Sequence, residues 1–149
     1  AMRALGMGLL NKLYLRFDRI FWPIAPDQIG YIPERKGEWS ETFNLYKYLD
    51  APILLCFTAA IYGRALETYP DSEIVARAMR VLRTIFGADI PDPVAYSLTR
   101  WASDPFAGGS YSYLPPGATT STPRRARCAR PSARWWTRWR AARALCSRA

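Results

Sequence analysis

Residues 13–17 read LYLRF, in which apolar side chains alternate with a tyrosine and an arginine at a period of two. A period of two predicts a β-strand with one apolar face. Lys12 directly precedes this run and is expected to project on the Tyr14 side. Similar strand patterns, separated by proline, glycine and charged residues typical of turns, lie at 28–32, 41–46 and 53–58. The first part of the chain is therefore predicted to be mainly sheet.

The segment after Pro70 has the pattern of an amphipathic helix over residues 72–86. Asp71 or Ser72 is expected to cap its first turn, and Gly87 to supply a left-handed stop. The apolar face of this helix carries Ile74, Ala78, Val81, Leu82 and Ile85. That face is expected to pack on the core.

A further strand is predicted over residues 94–101, because Pro91 and Pro93 impose an extended entry. Its apolar positions are Val94, Tyr96 and Leu98. Strands followed by a helix and then by another strand predict an α+β fold. The expected architecture is a mixed β-sheet with one main helix.

The net charge of +9 comes from 21 Lys plus Arg against 12 Asp plus Glu, but it is unevenly distributed. Residues 1–120 hold 12 basic and 12 acidic side chains, whereas residues 121–149 hold nine arginines and no acidic residue. The chain has no histidine, which excludes Ser-His-Asp and Cys-His catalysis within it and the usual His-based metal sites. The three cysteines have no CxxC spacing, so neither a zinc site nor a disulfide framework is expected, and Cys56 is predicted to be a core residue.

No targeting or membrane segment is predicted. The longest apolar stretch, residues 51–63, is shorter than the roughly 20 residues that cross a bilayer. The first apolar run meets Asn11 and Lys12 before any cleavage-like site, so no signal peptide is expected. These patterns predict a cytoplasmic protein.

Two motifs lie on either side of the predicted helix. Residues 8–13 read GLLNKL and are followed by a strand and by Phe21 and Trp22, and residues 100–112 read RWASDPFAGGSYS. In order and spacing they resemble the substrate domain of the flavin-containing amine oxidase family, which includes polyamine oxidases, flavin monoamine oxidases and flavin-dependent histone demethylases. The resemblance covers residues 1–117. It implies that residues 1–118 are a partial substrate-binding domain.

The resemblance also implies a role for each matching residue. Lys12 corresponds to the family lysine that holds a water against the flavin, and Trp101 to the tryptophan beside the flavin ring. Gly109 would allow close approach of the ring. Ser110 stands where monoamine oxidases carry the cysteine that bonds to FAD, so FAD is expected to bind non-covalently. Tyr111 corresponds to a wall of the aromatic cage that receives the amine.

Taken without the resemblance, the same residues have simpler interpretations. Lys12 would be a surface lysine, the aromatic residues near Trp101 would be core packing, and the two adjacent glycines would form a turn. These interpretations stay open at the level of composition and spacing.

The family reaction transfers a hydride from the carbon next to an amine nitrogen to the flavin and leaves an imine, which water hydrolyses to an aldehyde. Oxygen then reoxidises the flavin and yields hydrogen peroxide. The 149 residues contain no G-x-G-x-x-G motif for the dinucleotide. The expectation is therefore a fragment that does not retain FAD, is inactive alone and tends to self-associate.

Residues 119–149 form an Arg-, Ala- and Trp-rich basic tail that is unlike the family. One hypothesis is that a frameshift near Thr119 produced it and that it is disordered. An alternative is that residues 124–148, where arginines interleave with tryptophans, bind nucleic acid or an anionic membrane. A third hypothesis is a non-catalytic module that binds amines through its aromatic cage.

Overall fold

The computed structural model describes residues 5–117, so every expectation about the basic tail lies outside the described residues. Residues 7–112 form one compact unit, and the described part of a second unit consists of residues 5–6 and 113–117. The elements, in chain order, are β1 (Gly6–Gly8), β2 (Leu10–Arg16), β3 (Gln28–Gly30), β4 (Glu41–Asn44), α1 (Tyr46–Leu49), β5 (Ile53–Ala59), α2 (Ala60–Leu66), α3 (Asp71–Phe86), β6 (Ala95–Leu98) and β7 (Tyr111–Tyr113). No described helix is long and apolar enough to span a bilayer.

The main sheet has five strands in the order β3-β4-β5-β2-β6, and β1 pairs with β7 in a second sheet of two strands. Each pairing in the main sheet is antiparallel. The α+β class is therefore confirmed, but the expected mixed sheet is wrong. The physical reason is the position of β6. β5 and β6 run in the same direction, but the connection through α3 places β6 on the other side of β2, so these two strands are not neighbours and form no parallel pair.

The predicted strands are present with different bounds. β2 begins at Leu10, before the expected run, and β3 ends at Gly30 rather than at residue 32. β4 ends at Asn44, whose side-chain oxygen accepts a hydrogen bond from the Tyr46 amide at 3.1 Å and so turns the chain into α1. β6 is shorter than predicted, with Val94 outside it.

α3 is the main helix and runs from Asp71 to Phe86, close to the predicted 72–86. Its buried residues are Ile74, Ala78, Met79, Val81 and Leu82, whereas Ile85 is only partly buried. The capping prediction is wrong: Pro70 occupies the N-cap without a side-chain cap, and Asp71 instead pairs with Arg100. Gly87 has the predicted positive φ of 101°, but its ψ of 163° is not left-handed helical.

The core lies between the main sheet and α3. Its largest side chains with almost no exposure include Phe17, Leu13, Leu15, Leu54 and Leu82. Cys56 is buried there as predicted, and burial raises the pKa of its thiol to about 12, so the thiol is inert at neutral pH.

Candidate functional site

Residues 8–12 of the first motif bind both ends of the second motif. The Ser110 amide donates to the Gly8 carbonyl at 2.8 Å. The Ser110 hydroxyl accepts from the Leu10 amide at 2.8 Å and donates to the Leu10 carbonyl at 3.0 Å. This hydroxyl therefore fastens the second motif to the start of β2.

The other end of this segment contacts the beginning of the second motif. The Lys12 amide donates to Thr99 Oγ1 at 2.9 Å, and the Thr99 amide donates to the Lys12 carbonyl at 3.0 Å. The Trp101 amide donates to Asn11 Oδ1 at 3.0 Å. The fold thus brings the backbones of Lys12 and Trp101 together, although 89 positions separate them in sequence.

Lys12 lies on the sheet face that α3 does not cover. Leu13 and Leu15 point into the core, so the alternation of β2 places Lys12 and Tyr14 on the opposite face. Across the antiparallel pairing Lys12 is opposite Phe57, and Phe57 is opposite Glu41. Within residues 5–117, no carboxylate lies within ion-pair distance of the Lys12 ammonium. This ammonium is therefore available to bind a water or a ligand.

Tyr111 lies flat against the backbone of Gly8. A Cβ added at Gly8 would be 2.3 Å from Cε2 and Cζ of the Tyr111 ring. The other side of the ring reaches solvent, since the residue is 53% exposed. Tyr111 is therefore an exposed aromatic wall whose position depends on the absence of a side chain at Gly8.

Gly109 also approaches β1 closely. A Cβ there would lie 2.9 Å from the Gly8 carbonyl oxygen and 3.2 Å from Met7 Cβ. From the family resemblance, glycine at this position was expected to allow close approach of the flavin ring. Packing against Gly8 is by itself a sufficient reason for glycine at this position.

Replacing Gly8 by alanine is expected to push the Tyr111 ring off β1 and to destabilise the fold by about 1–3 kcal/mol, because overpacking forces the ring to move. Gly30 is the matched control, since it also lies in a strand and its added Cβ would meet nothing within 4 Å. Urea unfolding measures both variants, and the Tyr111 ring resonances report the displacement. Equal stability of the two variants would contradict the packing described here.

The structure does not join Lys12 and Tyr111 directly. Among the described residues they share no hydrogen bond, and the link between them runs through residues 8–12. A small cavity of about 10 Å³ has Lys12 and Trp39 in its lining but not Tyr111. The described part of the chain contains no cluster of metal-ligating side chains.

Glu67 and Asn11 are site residues that sequence reasoning missed. Asn11 is 6% exposed and occupies an inward position of β2, between the buried Leu9 and Leu13. A buried amide in an apolar alternation needs partners. The sequence alone shows that Asn11 lies at an inward position of the strand, but it does not show that Glu67 is its partner.

The Glu67 carboxylate is held by hydrogen bonds. Burial raises the pKa of this carboxyl, but hydrogen bonds from Ser103, Asn11 and Ala102 outweigh that effect, so the pKa lies below its ordinary value of 4.5. Glu67 is therefore an anion at neutral pH.

The lowered pKa predicts how stability depends on pH. A carboxyl with a depressed folded-state pKa stabilises the fold above the unfolded-state pKa, and this stabilisation is lost as pH falls through the folded-state pKa. Wild type should melt at a higher temperature than Glu67→Gln. This difference should be largest above pH 4.5 and should shrink as the pH falls below it. Thermal melts from pH 7 to pH 2, with Glu73→Gln as the control, measure this difference. A difference that does not change with pH would contradict the prediction.

A bound flavin is consistent with the residues present. A flavin has a flat aromatic ring with a hydrogen-bonding edge. This region offers the Lys12 ammonium, which has no ion-pair partner among residues 5–117, and a partly buried indole at Trp101.

Comparisons with known proteins show which family this chain resembles. The model of a family described as flavin containing amine oxidoreductase matches residues 1–137. A possible lysine-specific histone demethylase 1 of Drosophila melanogaster is 38% identical over 122 residues, which cover 81% of this chain and 14% of the relative. Lysine-specific histone demethylase 1 homolog 3 of Arabidopsis thaliana is 40% identical over 126 residues, which cover 80% of this chain and 8% of the relative.

Among solved structures, a putrescine oxidase double mutant with redesigned cofactor binding has a similar fold. The TM-score is 0.61 at 19% identity, over 75% of this chain and 25% of that chain. The chain therefore spans a small part of the length of these relatives.

Proposed function

Because this chain belongs to the flavin containing amine oxidoreductase family, we propose that residues 5–117 form the substrate side of an FAD-dependent amine oxidase site. The observation that supports this most is the role of residues 8–12. They bind Ser110 at one end and Thr99 and Trp101 at the other. The first motif thus holds the second motif at both of its ends.

Bound FAD would accept a hydride from the carbon next to the amine nitrogen, and water would hydrolyse the resulting imine to an aldehyde. The residues of this chain bind and orient. Lys12 would hold a water with its ammonium. Trp101, Gly109 and Ser110 would border the flavin, with Ser110 leaving it non-covalently bound, and the exposed face of Tyr111 would guide the amine by cation–π attraction.

Oxygen would be the second substrate and would be reduced to hydrogen peroxide. Of the amine classes, a methylated lysine side chain is favoured, because relatives at 38% and 40% identity are named as lysine-specific histone demethylases. Small diamines such as putrescine are the alternative, and the likeness to a putrescine oxidase supports the fold alone.

The test is a coupled assay on the protein that contains this chain, purified in the presence of FAD. Peroxide and aldehyde are measured with a dimethyl-lysine peptide, with putrescine and with an unmethylated peptide. The proposal predicts FAD-dependent release of both products with the dimethyl-lysine peptide. Release with putrescine alone would show that small diamines, and not methylated lysine, are the substrate class. No release with any amine would overturn the proposed function.

A further inference from the structure

Glu67, at the end of α2, receives hydrogen bonds from two distant parts of the chain. Its Oε1 accepts from Asn11 Nδ2 at 2.7 Å and from the Ala102 amide at 2.9 Å. Its Oε2 accepts from the Ser103 amide at 2.7 Å and from the Ser103 hydroxyl. One carboxylate thereby joins the start of β2 to the turn that follows Trp101.

Asn11 extends this network to the proposed flavin site. Its side-chain nitrogen Nδ2 donates to Glu67. Its Oδ1 accepts from the Trp101 amide at 3.0 Å and from Thr99 Oγ1 at 3.3 Å. Thr99 Oγ1 in turn accepts from the Lys12 amide at 2.9 Å. Glu67 is therefore connected by hydrogen bonds to the backbones of both Trp101 and Lys12.

All four groups that face the Glu67 carboxylate donate to it, and three of them are N–H groups that cannot accept. An ionised carboxylate only accepts and can satisfy all four, whereas a glutamine in either orientation would turn its NH₂ group toward one of the N–H groups. The nearby Arg100 guanidinium does not pair with the Glu67 carboxylate. It donates instead to the Glu67 carbonyl at 2.7 Å, to the Tyr69 carbonyl at 3.0 Å and to Asp71. The site thus requires a carboxylate specifically.

We propose that Glu67 is a positioning residue of the amine oxidase site, which fixes the backbones of Lys12 and Trp101 through Asn11 and the turn at residues 101–103. This role rests on the proposed function. Both carboxylate oxygens of Glu67 accept from donors of this chain, so we assign Glu67 to positioning and not to contact with the reacting atoms. Its effect on the reaction would come from the placement of the groups that do.

The experiment compares Glu67→Gln with Glu73→Gln. Glu73 is the matched control because it is an exposed carboxylate whose ion-pair partner within residues 5–117 is Arg77 on the same helix, at 2.9 Å. Amide hydrogen exchange is measured on the 149-residue chain, with Leu54 in the central strand β5 as the reporter of global unfolding. Glu67→Gln is expected to speed exchange at Trp101, Ala102 and Ser103 about tenfold more than at Leu54, and Glu73→Gln is not.

The second readout is flavin reduction by the preferred amine in the FAD-loaded protein. Glu67→Gln should lower the rate constant roughly tenfold to a hundredfold and leave the amine dissociation constant within about twofold, because misplaced groups slow the reaction more than binding. Uniform exchange across the chain, or an unchanged rate constant, would overturn the positioning role alone. Absence of reduction in the wild type would overturn the proposed function and the positioning role with it.

Discussion

Replacing Lys12 by methionine is expected to slow amine-dependent flavin reduction in the FAD-loaded protein on the order of 10²-fold or more, the cost typical of removing one preorganised hydrogen-bond donor. Methionine keeps a linear apolar stem beside Phe57 and removes only the ammonium. The backbone hydrogen bonds of Lys12 to Thr99 do not involve its side chain and should persist. Stopped-flow absorption of the oxidised flavin, with oxygen excluded, measures the effect.

Lys36→Met is the control, because Lys36 is an exposed lysine in the loop before β4. In this variant the amine should reduce the flavin at the wild-type rate. If the flavin in Lys12→Met is also reduced at the wild-type rate, at equal FAD occupancy, the Lys12 ammonium has no part in the reaction. Lys12 would then be the surface lysine that composition alone predicts.

Replacing Asn44 by alanine is expected to lower the free energy of unfolding by about 3 kcal/mol or more, because it leaves several buried polar groups without partners. Asn44 is fully buried at 0% exposure. Its Oδ1 accepts from Trp22 Nε1 at 2.9 Å and from the Tyr46 amide at 3.1 Å. Its Nδ2 donates to the carbonyls of Ile24 at 3.0 Å and Pro26 at 3.2 Å.

Urea unfolding of the 149-residue chain measures the loss, and Thr68→Ala is the control. The Thr68 hydroxyl donates to the Ala65 carbonyl at 2.8 Å on an exposed surface, so its removal should cost within about 0.5 kcal/mol. If Asn44→Ala is no more destabilising than Thr68→Ala, the loop before β3 is not fastened to β4 as described.

The main strands and α3 were predictable because their signals are local. The period of two in β2 and the apolar stripe of α3 are properties of consecutive residues. The elements β1, α1, α2 and β7 were not predicted. α2 follows β5 without a break inside one apolar stretch, and β1 and β7 are three-residue strands that pair with each other across the length of the chain. The antiparallel order of the sheet was also missed, because nothing local in β6 says which neighbour it pairs with.

The cap of α3 shows how a tertiary contact overrides a local preference. Asp71 has the side chain of a good N-cap, but Arg100 lies close enough to pair with it and the helix begins at Asp71 itself. In the proposed site, Lys12, Trp101 and Tyr111 were assigned from the resemblance of the two motifs to the family. Glu67 could not be found that way, because its partners lie 56 positions upstream and 35 and 36 positions downstream.

The proposed function requires that Lys12 and Tyr111 border the same flavin ring. A crystal structure of the FAD-loaded protein would show whether they do. We expect the Lys12 ammonium to lie one water away from the flavin edge, and the Tyr111 ring, still packed on Gly8, to bound the amine pocket over the same ring. FAD bound with Lys12 and Tyr111 on opposite surfaces and no pocket between them would refute the proposed function.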